Sequence, residues 1–160
     1  MFEHSRIHLL EVEPDLAGSV PPEELDVARN TVVTIAVDLP TGVWDADGLR
    51  ERLPRCIGMI VLDGLLAREV FLADRPAQQL LGPGDVLLES HLKPPSAFLP
   101  ARVEWRVVEP VRVALLGDTW IRAAARWPSL GFELLQRAGE QTARLSVHQA
   151  IGHLPNVEDR

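Results

Sequence analysis

The 160-residue chain is long enough for one ordinary domain, and 46% apolar with 24% charged residues predicts a sizeable core in a soluble protein. A net charge of −7 argues against direct nucleic-acid binding, which needs clustered Lys and Arg, and no apolar run approaches the roughly 20 residues of a membrane span. The start lacks the basic segment of a secretory signal, and a single cysteine, Cys56, excludes an intramolecular disulfide, so we expect a cytoplasmic protein.

The N-terminal part predicts short helices followed by a strand. Residues 14–30 look helical, because Pro21-Pro22-Glu23-Glu24 combines prolines suited to a first helical turn with acids that favour the helix dipole there. Leu25 and Ala28 would then face the core. The apolar pattern next changes to a period of two, which predicts a strand that Pro40-Thr41-Gly42 ends.

The middle of the chain has the pattern of a compact all-β roll. Short apolar runs without helical spacing, each bounded by turn residues, occur at 57–62, 65–72, 77–81 and 86–89. Asp63-Gly64 predicts a tight hairpin, because a type I′ turn needs positive φ at both central residues. Gly82-Pro83-Gly84-Asp85 predicts another turn, which leads to a lone carboxylate, Glu89.

Two further strands are expected after a proline-rich loop over 91–100. They cover 102–108 and 111–116. We expect an interruption between the two strands at Pro110, because proline cannot donate a hydrogen bond in a central ladder.

The C-terminal part predicts two helices. Asp118 or Thr119 can cap a short helix, because a side-chain oxygen there accepts from an otherwise unpaired amide. Pro128 is suited to open a helix of about 25 residues, which Pro155 would end.

The long predicted helix carries two apolar stripes, which indicates two packing partners. The first has the spacing of a heptad seam and contains Leu134, Ala138, Gln141, Leu145 and His148. The second could pack on the roll and contains Leu130, Leu135, Thr142 and Ile151. Because one short domain supplies one surface, the seam favours a homodimer through a second copy of the helix. The alternative is a single helix that packs a wide apolar face on its own domain.

Two motifs stand out: Leu-Leu-Gly-Pro-Gly-Asp-Val-Leu at 80–87 and Leu-Pro-Asn-Val-Glu-Asp-Arg at 154–160. With the order of the elements from residue 10 onward, they resemble the sensory half of Crp/Fnr-family transcription regulators. The resemblance implies a mainly β fold with α-helices: a cyclic-nucleotide-binding-like β jelly roll with short N-terminal helices over 1–117, then a short helix and a long dimerisation helix over 118–160. It also implies a homodimer whose helix-turn-helix DNA-binding domain lies outside this sequence.

The resemblance further implies an effector pocket, with candidate residues Gly84, Asp85, Leu88, Glu89 and Arg102. Glu89 matches the sugar-binding carboxylate of the family's cyclic-nucleotide binders, but Leu88 stands where they have a glycine, and its side chain would crowd a phosphate. Glu104 shares a strand face with Arg102 and would neutralise it. Cyclic AMP and cyclic GMP are therefore disfavoured, and another small effector, or none, is expected.

Two other functions remain open. The chain could be an effector-free dimeric interaction module, if Leu88 and Glu104 fill the pocket. It could instead be a cupin-like small-molecule-binding protein, although a metal centre of that kind needs closely spaced histidines and the five histidines include no His-x-His pair. Neither a P-loop nor a Gly-x-Ser-x-Gly motif occurs. We therefore expect no enzyme activity, no cofactor and no metal.

Overall fold

The computed structural model describes residues 4–46, 48, 55–72, 75–88 and 101–152, and their side chains except at 72, 75, 76, 101 and 145–152. The strands in these ranges are β1 (His4–His8), β2 (Val33–Leu39), β3 (Gly42–Val43), β4 (Gly58–Leu72), β5 (Arg75–Leu81), β6 (Val86–Leu88) and β7 (Ala101–Leu115). The helices are α1 (Leu9–Val12), α2 (Pro14–Ala17), a 3-10 helix (Pro22–Glu24), α3 (Leu25–Thr31), α4 (Asp118–Arg126) and α5 (Pro128–Gly152).

The strands form one antiparallel sheet in which β4 and β7 are the central pair. The order is β1-β2-β7-β4-β5, with β3 paired to β7 and β6 paired to β4. The pairing of β4 with β7 extends from Met59 opposite Leu115 to Leu72 opposite Ala101. The predicted mainly β architecture, with short N-terminal helices and a long C-terminal helix, is confirmed.

The predicted hairpin at Asp63-Gly64 is wrong, because β4 continues through these residues. The register against β7 shifts on both sides of Asp63, which marks a β-bulge, and Gly64 has a φ of +85°. Pro110 lies across from this bulge, and β7 continues through it. The expected break at Pro110 is therefore absent, because the residue without an N–H lies where the ladder is already interrupted.

The N-terminal helical region consists of short pieces rather than one helix. The 3-10 helix begins at Pro22, as the paired prolines indicate, and α3 follows it directly. Ala28 is fully buried and Leu25 packs against the core, as expected. Strand β1 was not predicted, because its side chains are exposed or half-buried and give no apolar alternation.

Strand β2 lies at the predicted place, but its burial does not alternate strictly. Thr34, Ala36 and Val37 are buried, whereas Ile35 is exposed. The Thr34 hydroxyl donates to the Leu115 carbonyl oxygen, which satisfies it inside the core.

The sheet separates two apolar cores. Consecutive residues Ile60 and Val61 are both fully buried, because one packs on the helices and the other inside the roll. The helix-side core includes Leu9, Leu10, Leu16, Val32, Leu116, Trp120, Leu130 and Leu134. The roll core includes Leu39, Trp44, Leu66, Leu81, Leu87, Trp105, Val107 and Val113.

The prediction of a short and then a long C-terminal helix is confirmed. Helix α5 begins at Pro128 and has 25 residues. The N-cap of α4 is Gly117, with no side-chain cap, so neither Asp118 nor Thr119 caps it; Asp118 is its first residue. No helix in the described ranges is both long and apolar enough to span a membrane.

Candidate functional site

The turn at 82–85, which contains the effector-pocket candidates Gly84 and Asp85 that the family resemblance implies, has its amides engaged within the fold. The Gly84 N–H donates to Val61 O at 2.8 Å, and the Asp85 N–H donates to Gly82 O at 3.0 Å. The Asp85 carboxylate accepts from the Gly82 N–H at 2.9 Å. Pro83 has no N–H. No amide of this turn is therefore left to cradle a phosphate.

The same turn is bonded to helix α5. The Val86 N–H donates to Gln141 Oε1 at 3.1 Å, and Gln141 is buried. Arg144 Nη2 donates to the second oxygen of Asp85 at 2.5 Å. Gln141 and Arg144 lie one turn apart on the helix, so both hold the same side of the roll.

A second ionic contact joins α5 to the N-terminal helices. Arg137 donates to Glu13 at 2.9 Å and to Glu133 at 3.4 Å, and its side chain is 13% exposed. Burial opposes the charge on Arg137, but hydrogen bonds and charges from Glu13 and then Glu133 outweigh it and raise the pKa of Arg137. This guanidinium therefore stays charged and holds α5 against the chain segment before α2.

An open cleft of about 840 Å³ lies between these contacts. Its charged lining consists of Glu13, Asp15, Asp85, Glu133, Glu140, Arg137 and Arg144. Five carboxylates surround two arginines, and both arginines are paired. The cleft is therefore a poor site for an anion.

Among the described effector-pocket candidates, Gly84, Asp85 and Leu88 lie at one end of β4 and Arg102 lies near the other. Gly84 and Asp85 lie near the start of β4, beside the pair Ile60–Val86, whereas Arg102 is opposite Phe71 near its end. Arg102 forms the expected ion pair with Glu104, at 3.1 Å. Leu88 pairs with Gly58 and packs on the helix-side core, and Glu89 lies outside the described residues.

The predicted dimer seam on α5 is partly engaged with the chain itself. Leu134 and Gln141 are each 5% exposed, and Ala138 is half-buried. The side chains of Leu145 and His148 lie outside the described ones. Away from this seam, Phe132 and Leu135 of α5 are 73% and 64% exposed.

The residues that tie the turn to α5 were only partly predicted. Gln141 was identified as a seam residue, but Arg137 and Arg144 were not singled out. Their spacing from Gln141, four residues before and three after, was the available signal, because it places all three on one helix face. That spacing predicts that the three side chains share a helix face, but it does not predict what packs against that face.

A smaller groove of about 520 Å³ lies between β2 and the start of α4. It is lined in part by Ile35, Cys56 and Leu115, and the Cys56 thiol donates to the Gly58 carbonyl oxygen. Arg55 and Asp118 form an exposed ion pair at its edge. Within the described part of the chain no group of three or more His, Cys, Asp or Glu could hold a metal ion.

Solved structures share this fold. A mutant CooA from Carboxydothermus hydrogenoformans has a TM-score of 0.57 at 11% identity, over 88% of this chain and 86% of that one. The Thermus thermophilus catabolite activator protein gives 0.53 at 19% identity, over 85% and 62%. Oxidized CprK in complex with o-chlorophenolacetic acid gives 0.50 at 14% identity, over 81% and 52%. No protein-family model and no curated protein matches the sequence.

These structures are Crp/Fnr-family regulators, and the likeness confirms the expected fold, a cyclic-nucleotide-binding-like jelly roll. The chain spans only about half to three fifths of the length of CprK and the catabolite activator protein.

Proposed function

We propose that the chain is the effector-sensing and dimerising part of a Crp/Fnr-like transcription regulator, with no enzyme activity, acting in the cytoplasm. The observation that carries the proposal is the bonding of the roll's turn at 82–85 to α5 through Gln141 and Arg144. Because the turn and the helix share these bonds, a ligand or partner that moves the roll also moves the helix. Such coupling requires different affinities for two arrangements of the dimer.

The proposed output is DNA binding by a separate domain of the same regulator. The net charge of −7 makes the 160-residue chain a poor partner for phosphates, so we assign the basic contacts to that separate domain. A helix-turn-helix encoded next to this segment in the parent gene would support the assignment, and a catalytic domain there would contradict it.

The proposed dimer forms through the outward face of α5. Phe132, Leu135, Gly139 and Thr142 follow one another at spacings of three and four on this face. The first two are exposed large apolar side chains, which a second copy of the helix would bury. Leu134 packs in the helix-side core and Gln141 accepts a bond from Val86, so they are less available to a partner.

We expect sedimentation equilibrium at micromolar concentration to show a dimer that Leu135→Asp weakens at least ~100-fold, because each protomer would bury an unpaired carboxylate. Leu80→Asp, at an exposed apolar residue of β5, is the control and should leave the dimer intact. Dissociation by Leu145→Asp but not by Leu135→Asp would place the interface on the predicted seam instead. A monomer of the unmodified chain would contradict the dimer.

We infer that cyclic AMP and cyclic GMP are not the effectors. The amides of Gly82, Gly84 and Asp85 are bonded within the fold, and Arg102 is paired with Glu104. Calorimetry should therefore show no binding tighter than about millimolar for either nucleotide. A micromolar affinity that Glu89→Ala abolishes would overturn this inference.

The same bonds favour the second candidate, a dimeric module that binds no effector. Its helix would respond to a protein partner rather than to a small molecule. The two candidates differ in whether the roll binds a small molecule, which a ligand titration measures.

A further inference from the structure

The roll core contains three buried hydrogen-bond donors without acceptors. They are Nε1 of Trp44, Nε1 of Trp105 and Nε of Arg68, none of which has a hydrogen-bond partner in the described structure. Trp44 and Trp105 are 5% and 4% exposed, so their indole rings lie largely inside the roll. Buried donors are almost always paired, and three in one place call for an explanation.

The sheet brings these three side chains into contact. Arg68 on β4 is directly opposite Trp105 on β7, and its Cζ is 5.7 Å from the centre of the Trp105 ring. The backbone N–H of Trp44 donates to the backbone carbonyl oxygen of Trp105 at 2.9 Å, and the two rings meet edge to face with centres 5.6 Å apart. The donors therefore belong to one cluster on the inner face of the roll.

Arg68 brings a positive charge to the cluster, and no ion pair joins it to a carboxylate among the described residues. The roll core around it consists of apolar side chains such as Leu66, Val103 and Val107. Burial lowers the pKa of Arg68, and within the described ranges no carboxylate opposes that shift. Arg102, by contrast, has Glu104 beside it. Arg68 is half-buried, and its Nε is buried without an acceptor among the described residues, so the site suits an anion that binds from outside.

A carboxylate matches these donors in number and shape. It offers about four lone-pair positions, and a guanidinium can bind it through two parallel bonds. The flat indoles of Trp44 and Trp105 would contact an apolar body attached to it.

We propose that the inner face of the roll binds a small organic carboxylate, held by Arg68 and by the indole N–H groups of Trp44 and Trp105. The inference rests on the proposed sensory function, since a ligand bound here is the effector of that function. It moves the effector site from the turn at 82–85 and from Arg102 to the β4–β7 pair beyond the bulge.

The test is a tryptophan-fluorescence titration of the whole chain with acetate, benzoate and phenylacetate, and with phenylacetamide as a neutral analogue. At least one carboxylate should give a saturable change that phenylacetamide does not. Arg68→Gln should weaken this binding at least ~10-fold, because the charge-assisted bonds are lost. Arg106→Gln, at an exposed residue of the same strand as Trp105, is the matched control and should bind like the unmodified chain.

The results that would contradict the carboxylate site differ from those that would contradict the proposed sensory function. No saturable change with any of the three carboxylates, a response to chloride or phosphate alone, or equal binding by Arg68→Gln would each overturn the proposal. If Arg68→Gln does not fold, Trp105→Phe keeps a ring and removes one donor, and it should weaken binding severalfold. An intact dimer without carboxylate binding would contradict this site alone, whereas a monomer would contradict the proposed function.

A second readout distinguishes a binding role from a structural one. Without ligand, Arg68→Met should leave the thermal unfolding midpoint unchanged or raise it by roughly a few degrees, because it removes a half-buried charge that has no carboxylate partner among the described residues. A purely structural arginine would instead lower the midpoint when replaced.

Discussion

A single methyl group at Gly64 is expected to lower the free energy of unfolding by about 3 kcal/mol or more. Gly64 has a φ of +85°, which side chains rarely adopt, and a Cβ there would lie 2.0 Å from the carbonyl oxygen of Pro110. The next contacts, at 2.8 Å, are also backbone atoms of Pro110 and Val111. No flexible side chain can move aside, so the paired strands β4 and β7 would have to separate. Urea unfolding of Gly64→Ala measures the cost.

Gly84→Ala is a matched control for this change. Gly84 has the same φ of +85°, but a Cβ there would meet only Arg137 Nη1, at 3.9 Å. Its expected cost is about 1 to 2 kcal/mol, from the strained backbone alone. The difference between the two variants isolates the collision with Pro110. Equal costs would show that the bulge does not hold β4 and β7 in close contact.

Replacing Arg137 with Met is expected to cost about 2 to 3 kcal/mol. The change leaves the carboxylates of Glu13 and Glu133, whose side chains are 12% and 29% exposed, without their shared partner. Helix α5 would keep its apolar contact through Leu130, which is fully buried. We therefore expect a folded but less stable protein, measured by denaturant unfolding followed by circular dichroism.

The double variant Glu13→Gln with Arg137→Met tests this cause. It should recover part of the lost stability, because the buried carboxylate is removed together with its partner. Arg55→Met is the control at an exposed ion pair, where Arg55 and Asp118 are 80% and 47% exposed, and it should change stability by at most about 0.5 kcal/mol. Equal effects of Arg55→Met and Arg137→Met would contradict the importance of the buried contact.

Local patterns predicted most elements but not how they pair. Helix α5 follows from its first proline and its long apolar periodicity, both of which are local signals. The error at Asp63-Gly64 has a non-local cause. Asp-Gly suits a tight turn and a bulge equally, and the choice depends on Pro110, far along the chain but across the sheet.

Prediction of the candidate site was limited for the same reason, because local patterns do not show which residues the sheet brings together. The turn at 82–85 was predicted from its own residues, yet its function depends on what faces it. Arg102 was placed in the pocket by sequence position, but register sets it opposite Phe71, near the other end of β4. The cluster of Arg68 and Trp105 was not predicted, because only strand pairing brings those residues together.

The bond from Gln141 to Val86 has a consequence for the solubility of the protein. Strand β6 has three residues and pairs with β4, so its other side is an unprotected sheet edge within the described sheet. Gln141 takes the place of a neighbouring strand by accepting from the first amide of that edge. A movement of α5 away from the roll would leave this amide unpaired and exposed. We therefore expect the contact between α5 and β6 to reduce edge-to-edge aggregation.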